Sequence, residues 1–374
     1  MKRFCIFLTV ILIFLTLCQE ENVSADDLPC FVLIEADTGT VLEENNSERR
    51  INTGYLTKLM SLLIIAEDIQ TGKFRLTDEL TASESVKDTK GAVIWLEQGD
   101  RMSAEELLKA VIIGNANDAL TVLAENCCEN TDEFVKRMNS RAFDLGLHNS
   151  AFFSPYGYYD EREYSSAHDI AIICSELSRY EFLTPYFSTW RDFVKSGTVE
   201  LVSENTLSRS YERHIGFKAC HSDYSGYCIA EGGRNEEGIT YIAVVLGAES
   251  DDVSLGKAKK LVNKGFSDYK ITATMFPDDM LMPVKVRNGE DFAVEISLKN
   301  QSTLVIPKGV SELRNITVIP DFLDAPVKSG QKIGTVGFYN GDTLVCETDI
   351  ITKSEVKKLS FSFIFKKMML NMLK

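Results

Sequence analysis

The sequence has little of what nucleic-acid-binding and zinc-binding proteins use. Its 40 Lys and Arg are outnumbered by 55 Asp and Glu, so the formal net charge is −15 and no nucleic-acid partner is expected. Only four histidines occur, and no cysteine or histidine spacing typical of zinc ligands is present. We therefore expect no metal site and no cofactor. Internal repeats and low-complexity tracts are absent as well.

The N-terminal segment has the composition of a secretory signal peptide. Lys2 and Arg3 precede an apolar run that ends at Leu17, and small residues up to Ala25 offer a cleavage site. The run is shorter than the ~20 residues that a membrane-spanning helix needs. We expect residues 1–25 to be removed on export; the alternative is an uncleaved membrane anchor.

Cysteine usage gives no disulfide framework. Seven cysteines follow the predicted cleavage site, an odd number that cannot pair completely within one chain. They are Cys30, Cys127, Cys128, Cys174, Cys220, Cys228 and Cys346. Because free cysteine packs as a small apolar residue, we expect most of them to be buried.

The remaining chain is long enough for two domains. Over residues 26–270, amphipathic helical patterns alternate with extended runs, which predicts an α+β domain with helices packed on one sheet. Over residues 276–350, short alternating strands and turns at Asn288-Gly289 and Asn340-Gly341 predict a small all-β domain.

Individual elements of the first domain can be predicted from local patterns. We expect a strand pair with its turn at 37–39, a helix from Thr57, two helices broken at Gly114-Asn115 and amphipathic helices ending near Gly146 and Leu177. Strands follow at 213–221, 226–234 and 240–248, and a helix closes the domain near Tyr269.

The C-terminal tail, residues 354–374, is basic and amphipathic. As a helix it groups five apolar residues on one face: Phe361, Ile364, Phe365, Met368 and Met372. Its lysines lie elsewhere on the helix, at Lys357, Lys358, Lys366, Lys367 and Lys374, and no acidic residue follows Glu355. Such a helix is expected to lie in a membrane interface. The alternative is a helix docked on its own domain.

Three short segments have the spacing of a peptidase site. Tyr55-Leu56-Thr57-Lys58 begins a predicted helix, Asn115-Ala116-Asn117 lies at a helix break, and Lys218-Ala219-Cys220 lies on a predicted strand before His221. The surrounding sequence resembles the D-alanyl-D-alanine carboxypeptidase family of low-molecular-weight penicillin-binding proteins. The similar segments, in matching order, include "LIEADTGTVLEEN", "LTKLM", "GAVIWLEQGDRMSAEELLKAVIIGNANDA", "SPYGYYDEREYSSAHDIAIIC", "SGYCIAEGGRNEEGITYIAVVLGA" and "APVKSGQKIGTVGFYNGDTL".

The resemblance implies a fold and a chemistry. The fold would be the serine β-lactamase/transpeptidase-like α+β domain, followed by a small β domain and an amphipathic helix. The family motifs are S-x-x-K, S-x-N and K-T-G. They supply a serine nucleophile with a lysine base one helical turn away, a proton relay, and a strand that binds the substrate.

All three motifs are altered in this sequence. Tyr55 stands at the nucleophile position with Lys58 at the general-base position; Asn115 replaces the serine of the second motif, and Asn117 is kept at the proton-relay position. A tyrosine oxygen lies several ångströms farther from the backbone than a serine oxygen and has a pKa near ~10. Tyr55 is therefore expected to be a poor nucleophile.

The third motif retains only its lysine. Lys218 is followed by Ala219 and Cys220 instead of threonine and glycine, and His221 falls at the position whose backbone N–H would complete an oxyanion hole. A thiol beside Lys218 could have a lowered pKa, which makes Cys220 a candidate substitute nucleophile. Cys220 and His221 cannot form a dyad by adjacency, because successive strand residues point to opposite faces.

Three functions remain open. In the first, which we favour, the chain is a pseudoenzyme that binds peptidoglycan stem peptides ending in D-Ala-D-Ala, or other cell-wall partners. Alternatively it is an active carboxypeptidase that removes the terminal D-alanine with Lys58 as base and an unrecognised nucleophile. The third possibility is a membrane-tethered structural spacer. In each case we expect an exported protein held peripherally on the outer face of the cytoplasmic membrane.

Overall fold

The computed structural model describes residues 29–273, 281–299, 303–310 and 313–372. The predicted signal peptide lies outside these ranges. Two compact units make up the chain. Of the described residues, the first comprises 29–32, Glu43–Glu231 and Ala243–Ala258; the second comprises Leu33–Leu42, Gly232–Ile242 and those from Lys259 onward. Among the described helices, none has the length and apolarity that crossing a membrane requires.

The helices begin and end close to the predicted residues. They are α1 Lys58–Gln70, α2 Ala104–Ile112, α3 Asn117–Cys127, α4 Thr131–Asp144, α5 Ala167–Ser178, α6 Thr184–Phe187, α7 Asp251–Asp268 and α8 Phe361–Met372. Side-chain caps define several starts: Ser103 Oγ accepts the Glu106 N–H, and Ser166 Oγ accepts the Asp169 N–H. The break between α2 and α3 falls at Asn115, whose φ of 56° is left-handed.

The strands up to residue 248 are β1 Cys30–Glu35, β2 Val41–Asn45, β3 Glu79–Thr81, β4 Arg101–Ser103, β5 Arg191–Val194, β6 Val199–Val202, β7 His214–Gly216, β8 Ala219–Ser222, β9 Gly226–Arg234 and β10 Thr240–Ala248. The main sheet has the order β2-β1-β10-β9-β7, and β8 pairs with β9. β9 and β10 are almost wholly buried, as their apolar sequences require. The predicted mixture of helices and one main sheet is confirmed.

The C-terminal part consists of short strands, as predicted. They are β11 Tyr269–Ala273, β12 Val284–Arg287, β13 Ala293–Val294, β14 Ile296–Leu298, β15 Thr303–Pro307, β16 Arg314–Val318, β17 Phe322–Asp324, β18 Lys332–Asn340 and β19 Thr343–Thr352. β14-β19-β18-β16 form a four-stranded sheet, and β13-β12-β17 form a three-stranded one. Apolar residues from both sheets, including Val286, Val294, Val336, Phe338 and Ile350, form one buried cluster.

The tail helix α8 starts at Phe361, later than the predicted segment start at 354. Its first turn follows Ser360, whose Oγ accepts the Phe363 N–H at 3.2 Å and so caps the helix. The apolar residues Phe361, Phe365 and Met368 are exposed. Helix α8 therefore presents apolar side chains at the surface, and its amphipathic membrane role stays a prediction.

Candidate active site

Tyr55 and Lys58 lie on one continuous turn. Residues Gly54–Thr57 form a single 3-10 turn that leads directly into α1. Tyr55 is half-buried, whereas Lys58 is completely buried beneath it. The Lys58 Nζ lies 4.5 Å from the centre of the Tyr55 ring and donates a hydrogen bond to the Asn115 carbonyl at 2.9 Å. The lysine is thus covered by an aromatic face, a cation–π contact.

The hydroxyl of Tyr55 extends away from its own backbone. A Cβ added to Gly91 would lie 3.8 Å from the Tyr55 Oη and 3.0 Å from the Asn117 Nδ2. The phenol oxygen therefore reaches the loop that carries Gly91. Burial raises the pKa of Tyr55, so its hydroxyl stays protonated at neutral pH.

A buried carboxyl group holds the turn from below. Glu163 accepts a hydrogen bond from the Thr57 hydroxyl at 2.8 Å and from the backbone N–H groups of Phe153 and Ser154 at 3.1 Å. Burial raises the pKa of Glu163 to about 6. These bonds fix the turn to the 153–163 segment.

Gly157 brings this same segment against the turn. Gly157 has a φ of 79°, and a Cβ at this position would lie 2.0 Å from the Gly54 carbonyl oxygen. Only glycine fits such an approach. The backbone around Tyr55 is therefore closely packed.

The two asparagines of the second segment project buried amides. Asn117 Nδ2 donates to the Lys90 carbonyl and to the Tyr158 hydroxyl, and Asn115 Nδ2 donates to Glu204 at 2.9 Å. The Oδ1 atoms of both asparagines are buried without a hydrogen-bond partner. Two acceptors in this region are therefore unoccupied by protein groups.

The third segment reaches the same region through β8. Lys218 precedes this strand and is buried; its Nζ donates to the Val111 carbonyl at 3.0 Å and to the Ile112 carbonyl at 2.8 Å. Ala219 is buried and offers no hydroxyl. The predicted site residues Tyr55, Lys58, Asn115, Asn117 and Lys218 are thus brought together by the fold.

Cys220 and His221 point in opposite directions, as predicted from strand geometry. The Cys220 Sγ is buried 3.5 Å from the Thr53 carbonyl oxygen, whereas His221 is exposed and stacks on Tyr227 at 4.1 Å. The possible lowering of the Cys220 pKa by Lys218 is not found. The Cys220 S–H donates to the Thr53 carbonyl, and a hydrogen bond with Cys228 together with burial raises the Cys220 pKa well above the usual range.

Sequence reasoning missed Glu204. This exposed carboxylate holds the Asn115 amide and lies close enough to raise the pKa of both buried lysines. Burial nevertheless dominates: it lowers the pKa of Lys58 well below normal, reinforced by the neighbouring Lys218, and lowers the pKa of Lys218 to about 8. Glu204 offsets part of the positive charge that the two lysines would give the cleft.

One cluster among the described residues has donor atoms of the kind that bind metal ions. Glu48, His168 and Asp169 place one ligand atom each within 4.8 Å of one another. The His168 Nδ1 lies 3.3 Å from the Glu48 carboxylate and 3.8 Å from that of Asp169. The hydrogen bond to Asp169 raises the pKa of His168, which describes an ion-paired histidine.

Comparison with known proteins supports one family along almost the whole chain. The sequence profile described as "D-alanyl-D-alanine carboxypeptidase" matches residues 18–250, and that described as "Penicillin-binding protein 5, C-terminal domain" matches residues 269–358. The chain belongs to the D-alanyl-D-alanine carboxypeptidase family. The predicted transpeptidase-like domain with a following β domain is thereby confirmed.

Individual relatives cover the same length. D-alanyl-D-alanine carboxypeptidase DacF of Bacillus subtilis is 32% identical over 343 residues, covering 90% of this chain and 88% of that protein. DacC of Escherichia coli is 26% identical, covering 91% of this chain and 88% of its own. The crystal structure of penicillin-binding protein 5 from Haemophilus influenzae superimposes with a TM-score of 0.76 at 25% identity, covering 88% of this chain and 97% of that one.

Within the carboxypeptidase family, this cleft has unusual chemical means. A peptidase of the S-x-x-K type requires a short hydroxyl beside the lysine, and the side chain here is a protonated phenol over that lysine. The amide oxygens of Asn115 and Asn117 are buried without a hydrogen-bond partner. One turn before the buried Lys58, the side chain is a tyrosine and not a serine.

Proposed function

We propose that this protein is a catalytically inactive member of the carboxypeptidase family that binds peptidoglycan stem peptides ending in D-Ala-D-Ala. The observation that carries the proposal is the position of Tyr55. It replaces the nucleophilic hydroxyl, and its ring covers the amine of Lys58 at 4.5 Å. The family's role in cell-wall metabolism supplies the substrate class.

Loss of catalysis follows from the geometry of acyl transfer. An attacking oxygen must lie within ~0.5 Å of its productive position relative to the oxyanion donors. The Tyr55 oxygen instead reaches toward the loop of Gly91. Removing the nucleophile of a comparable peptidase lowers turnover by roughly 10⁴- to 10⁶-fold. Cys220 does not replace it, because its thiol is buried and its pKa is raised.

Retained binding is supported by unpaired polar atoms. The Oδ1 atoms of Asn115 and Asn117 and the Oγ1 atom of Thr53 are buried without a partner. An unpaired buried polar atom costs about 1–3 kcal/mol. A peptide whose N–H groups reach the two amide oxygens would recover part of this free energy on binding.

Labelling with a fluorescent penicillin tests the loss of catalysis. We expect the purified full chain to show no covalent label under conditions in which an active family member is fully labelled. Lys58→Met provides the matched control, since it removes the base and leaves Tyr55 in place. Covalent labelling that disappears in Lys58→Met would favour the active carboxypeptidase and overturn the inactive assignment.

Calorimetric titration tests the binding function separately. A pentapeptide ending in D-Ala-D-Ala should bind reversibly without release of D-alanine, and the same peptide ending in L-Ala-L-Ala should bind more weakly. Asn117→Ala should weaken binding about tenfold if an amide hydrogen bond is lost. Absence of saturable binding to either peptide would leave the structural spacer as the function.

For localisation we propose that the protein is exported and that α8 holds it on the outer face of the cytoplasmic membrane. The exposed apolar residues on this helix are Phe361 (83% exposed), Ile364, Phe365, Met368 and Met369. A surface helix of this kind gains free energy by burying its apolar face in the headgroup boundary. The basic side chains of the tail favour anionic lipids.

Vesicle co-sedimentation tests the membrane proposal. The chain without its predicted signal peptide should sediment with vesicles containing anionic lipid, and Phe361→Ser/Phe365→Ser should remain in solution. The double substitution Phe143→Ser/Trp95→Ser is the matched control, because both of those aromatic residues are exposed elsewhere on the chain. Equal sedimentation of both variants would contradict anchoring through α8.

A further inference from the structure

Cys220 and Cys228 face each other across two neighbouring strands. They are direct partners in the antiparallel register of β8 and β9. Opposed residues of such a pair have Cα atoms about 4.5–5.5 Å apart, and their side chains leave the sheet on the same face. Disulfides span Cα separations of roughly 4.4–6.8 Å. The two thiols can therefore be joined without moving either strand.

The surroundings give the two sulfurs different roles. The Sγ atom of Cys228 accepts the Gly247 N–H at 3.4 Å, donates to the Ser225 carbonyl at 3.3 Å and is hydrogen-bonded to Cys220. The bond with Cys220 lowers the pKa of Cys228, although its burial opposes this, and the same bond raises that of Cys220. Cys228 therefore carries the thiolate more readily, and Cys220 holds the proton.

Cys127 and Cys174 lack the facing thiol that Cys220 and Cys228 provide for each other. Burial raises the pKa of Cys174, and both burial and the nearby Asp68 carboxylate raise that of Cys127. Cys127 and Cys174 lie on helices α3 and α5, not on neighbouring strands.

We propose that Cys220 and Cys228 form a modification site, at which an intramolecular disulfide is made by thiol–disulfide exchange with an external disulfide compound. One cysteine thiolate attacks a sulfur of the external disulfide, forming a mixed disulfide and releasing one external thiol. The second cysteine thiolate then attacks the protein sulfur of that mixed disulfide and releases the second external thiol. The two protein protons and two electrons end on the released thiols.

The disulfide adjoins the turn that carries Tyr55. The Cys220 Sγ lies 3.5 Å from the Thr53 carbonyl oxygen, and a Cβ added to Gly54 would lie 3.7 Å from this sulfur. Joining Cys220 to Cys228 fixes this sulfur in the wall behind the turn. The oxidation state of the pair therefore changes how firmly this wall of the cleft is held. This inference does not depend on whether the cleft binds a stem peptide.

Peptide mapping tests the site directly. No Lys or Arg lies between Ala219 and Arg234, so both cysteines fall in one tryptic peptide, and Asp223 offers a cleavage point between them. The folded full chain is incubated with oxidised glutathione, then denatured, alkylated and digested. We expect this peptide to be lighter by the mass of two hydrogens, unalkylated, and still joined after cleavage at Asp223.

Matched variants identify the pair. Cys174→Ser should leave the disulfide unchanged, whereas Cys228→Ser should leave Cys220 alkylated or glutathionylated and never joined within the peptide. Alkylation of both cysteines in the glutathione-treated native chain, or a glutathione adduct that does not resolve, would overturn the proposal. The mapping requires only the unsubstituted protein, so poor folding of a variant does not affect its outcome. It also reads nothing from penicillin or peptide binding, so it fails or succeeds independently of the proposed function.

Discussion

The two buried lysines of the cleft are held in the structure differently from the residues at the other motif positions. Lys58 and Lys218 each donate to backbone carbonyls of neighbouring segments. Tyr55, Ala219 and Cys220 occupy positions where the family motifs require serine, threonine and glycine. The lysines are tied into the structure, whereas the reacting side chains are free to change. A motif lysine alone is therefore no sign of activity.

The contacts of Lys218 give this motif lysine a structural role. Its two acceptors, the Val111 and Ile112 carbonyls, belong to the last turn of α2. Helix C-terminal carbonyls lack intrahelical partners, and a cation beside them is stabilising. Loss of the lysine would leave these acceptors unpaired. These contacts give Lys218 a structural role that does not depend on catalysis.

The largest expected effect tests the close packing of Gly157 against the turn that carries Tyr55. Gly157→Ala should lower the free energy of unfolding by about 4 kcal/mol, because its Cβ would collide with the Gly54 carbonyl and its φ is left-handed. Gly72→Ala is the matched control: its φ is 77° but nothing lies within 4 Å, so it should cost only about 1 kcal/mol. Urea denaturation measures both. Equal losses of unfolding free energy in the two variants would mean that the backbone around Tyr55 moves to admit the added Cβ.

The next effect concerns the structural role of Lys218. Its pKa is lowered in the folded protein to about 8 from the unfolded value of 10.5, so the unfolded chain binds more protons between these pH values. Its contribution to stability is therefore full above pH 10.5 and lost as the pH falls through about 8. The free energy of unfolding, relative to Lys218→Met, should increase by about 3 kcal/mol across this window. Parallel curves would contradict the buried, proton-shedding lysine.

A smaller effect concerns the charge that Glu204 brings to the cleft. Glu204→Gln keeps a hydrogen-bond acceptor for Asn115 but removes a negative charge near the two lysines. Binding of an anionic peptide ending in D-Ala-D-Ala should strengthen about threefold at low salt and less at high salt. Glu200→Gln, at an exposed pair with Arg191, is the matched control. A salt-independent gain would point to a cause other than charge.

The smallest expected effect comes from the most obvious repair. Tyr55→Ser alone should leave carboxypeptidase turnover at background, because Ala219 and Cys220 still lack the hydroxyl and the open backbone of the third motif. The fourfold variant Tyr55→Ser/Asn115→Ser/Ala219→Thr/Cys220→Gly should be the one that acquires a penicillin label. Appreciable D-alanine release by the single variant would show that only the nucleophile had been lost.

Local sequence patterns were sufficient for the helices and strands because their signals lie within a few residues. The helix break at Asn115 and the turn at 37–39 are both present as predicted. The pattern of charges alone predicts too early a start for α8, because it begins before Ser360, the residue that caps the helix. Domain boundaries remain a prediction.

The site was predictable only where a motif marked it. Glu204 and Tyr158 join the cleft from distant parts of the chain, and no local pattern identifies such contacts. The facing cysteines carried a readable signal, because Cys220 and Cys228 are placed symmetrically about the turn between β8 and β9. That symmetry fixes their register as partners.

The aromatic cover over Lys58 has an evolutionary consequence. A single change back to serine would uncover a buried amine without giving a working peptidase, since the rest of the reacting surface has also changed. Replacing Tyr55 by serine alone would lose the contact between its ring and the Lys58 amine. A step toward the family's S-x-x-K motif at this position therefore carries a structural cost, which other changes in the site would have to offset.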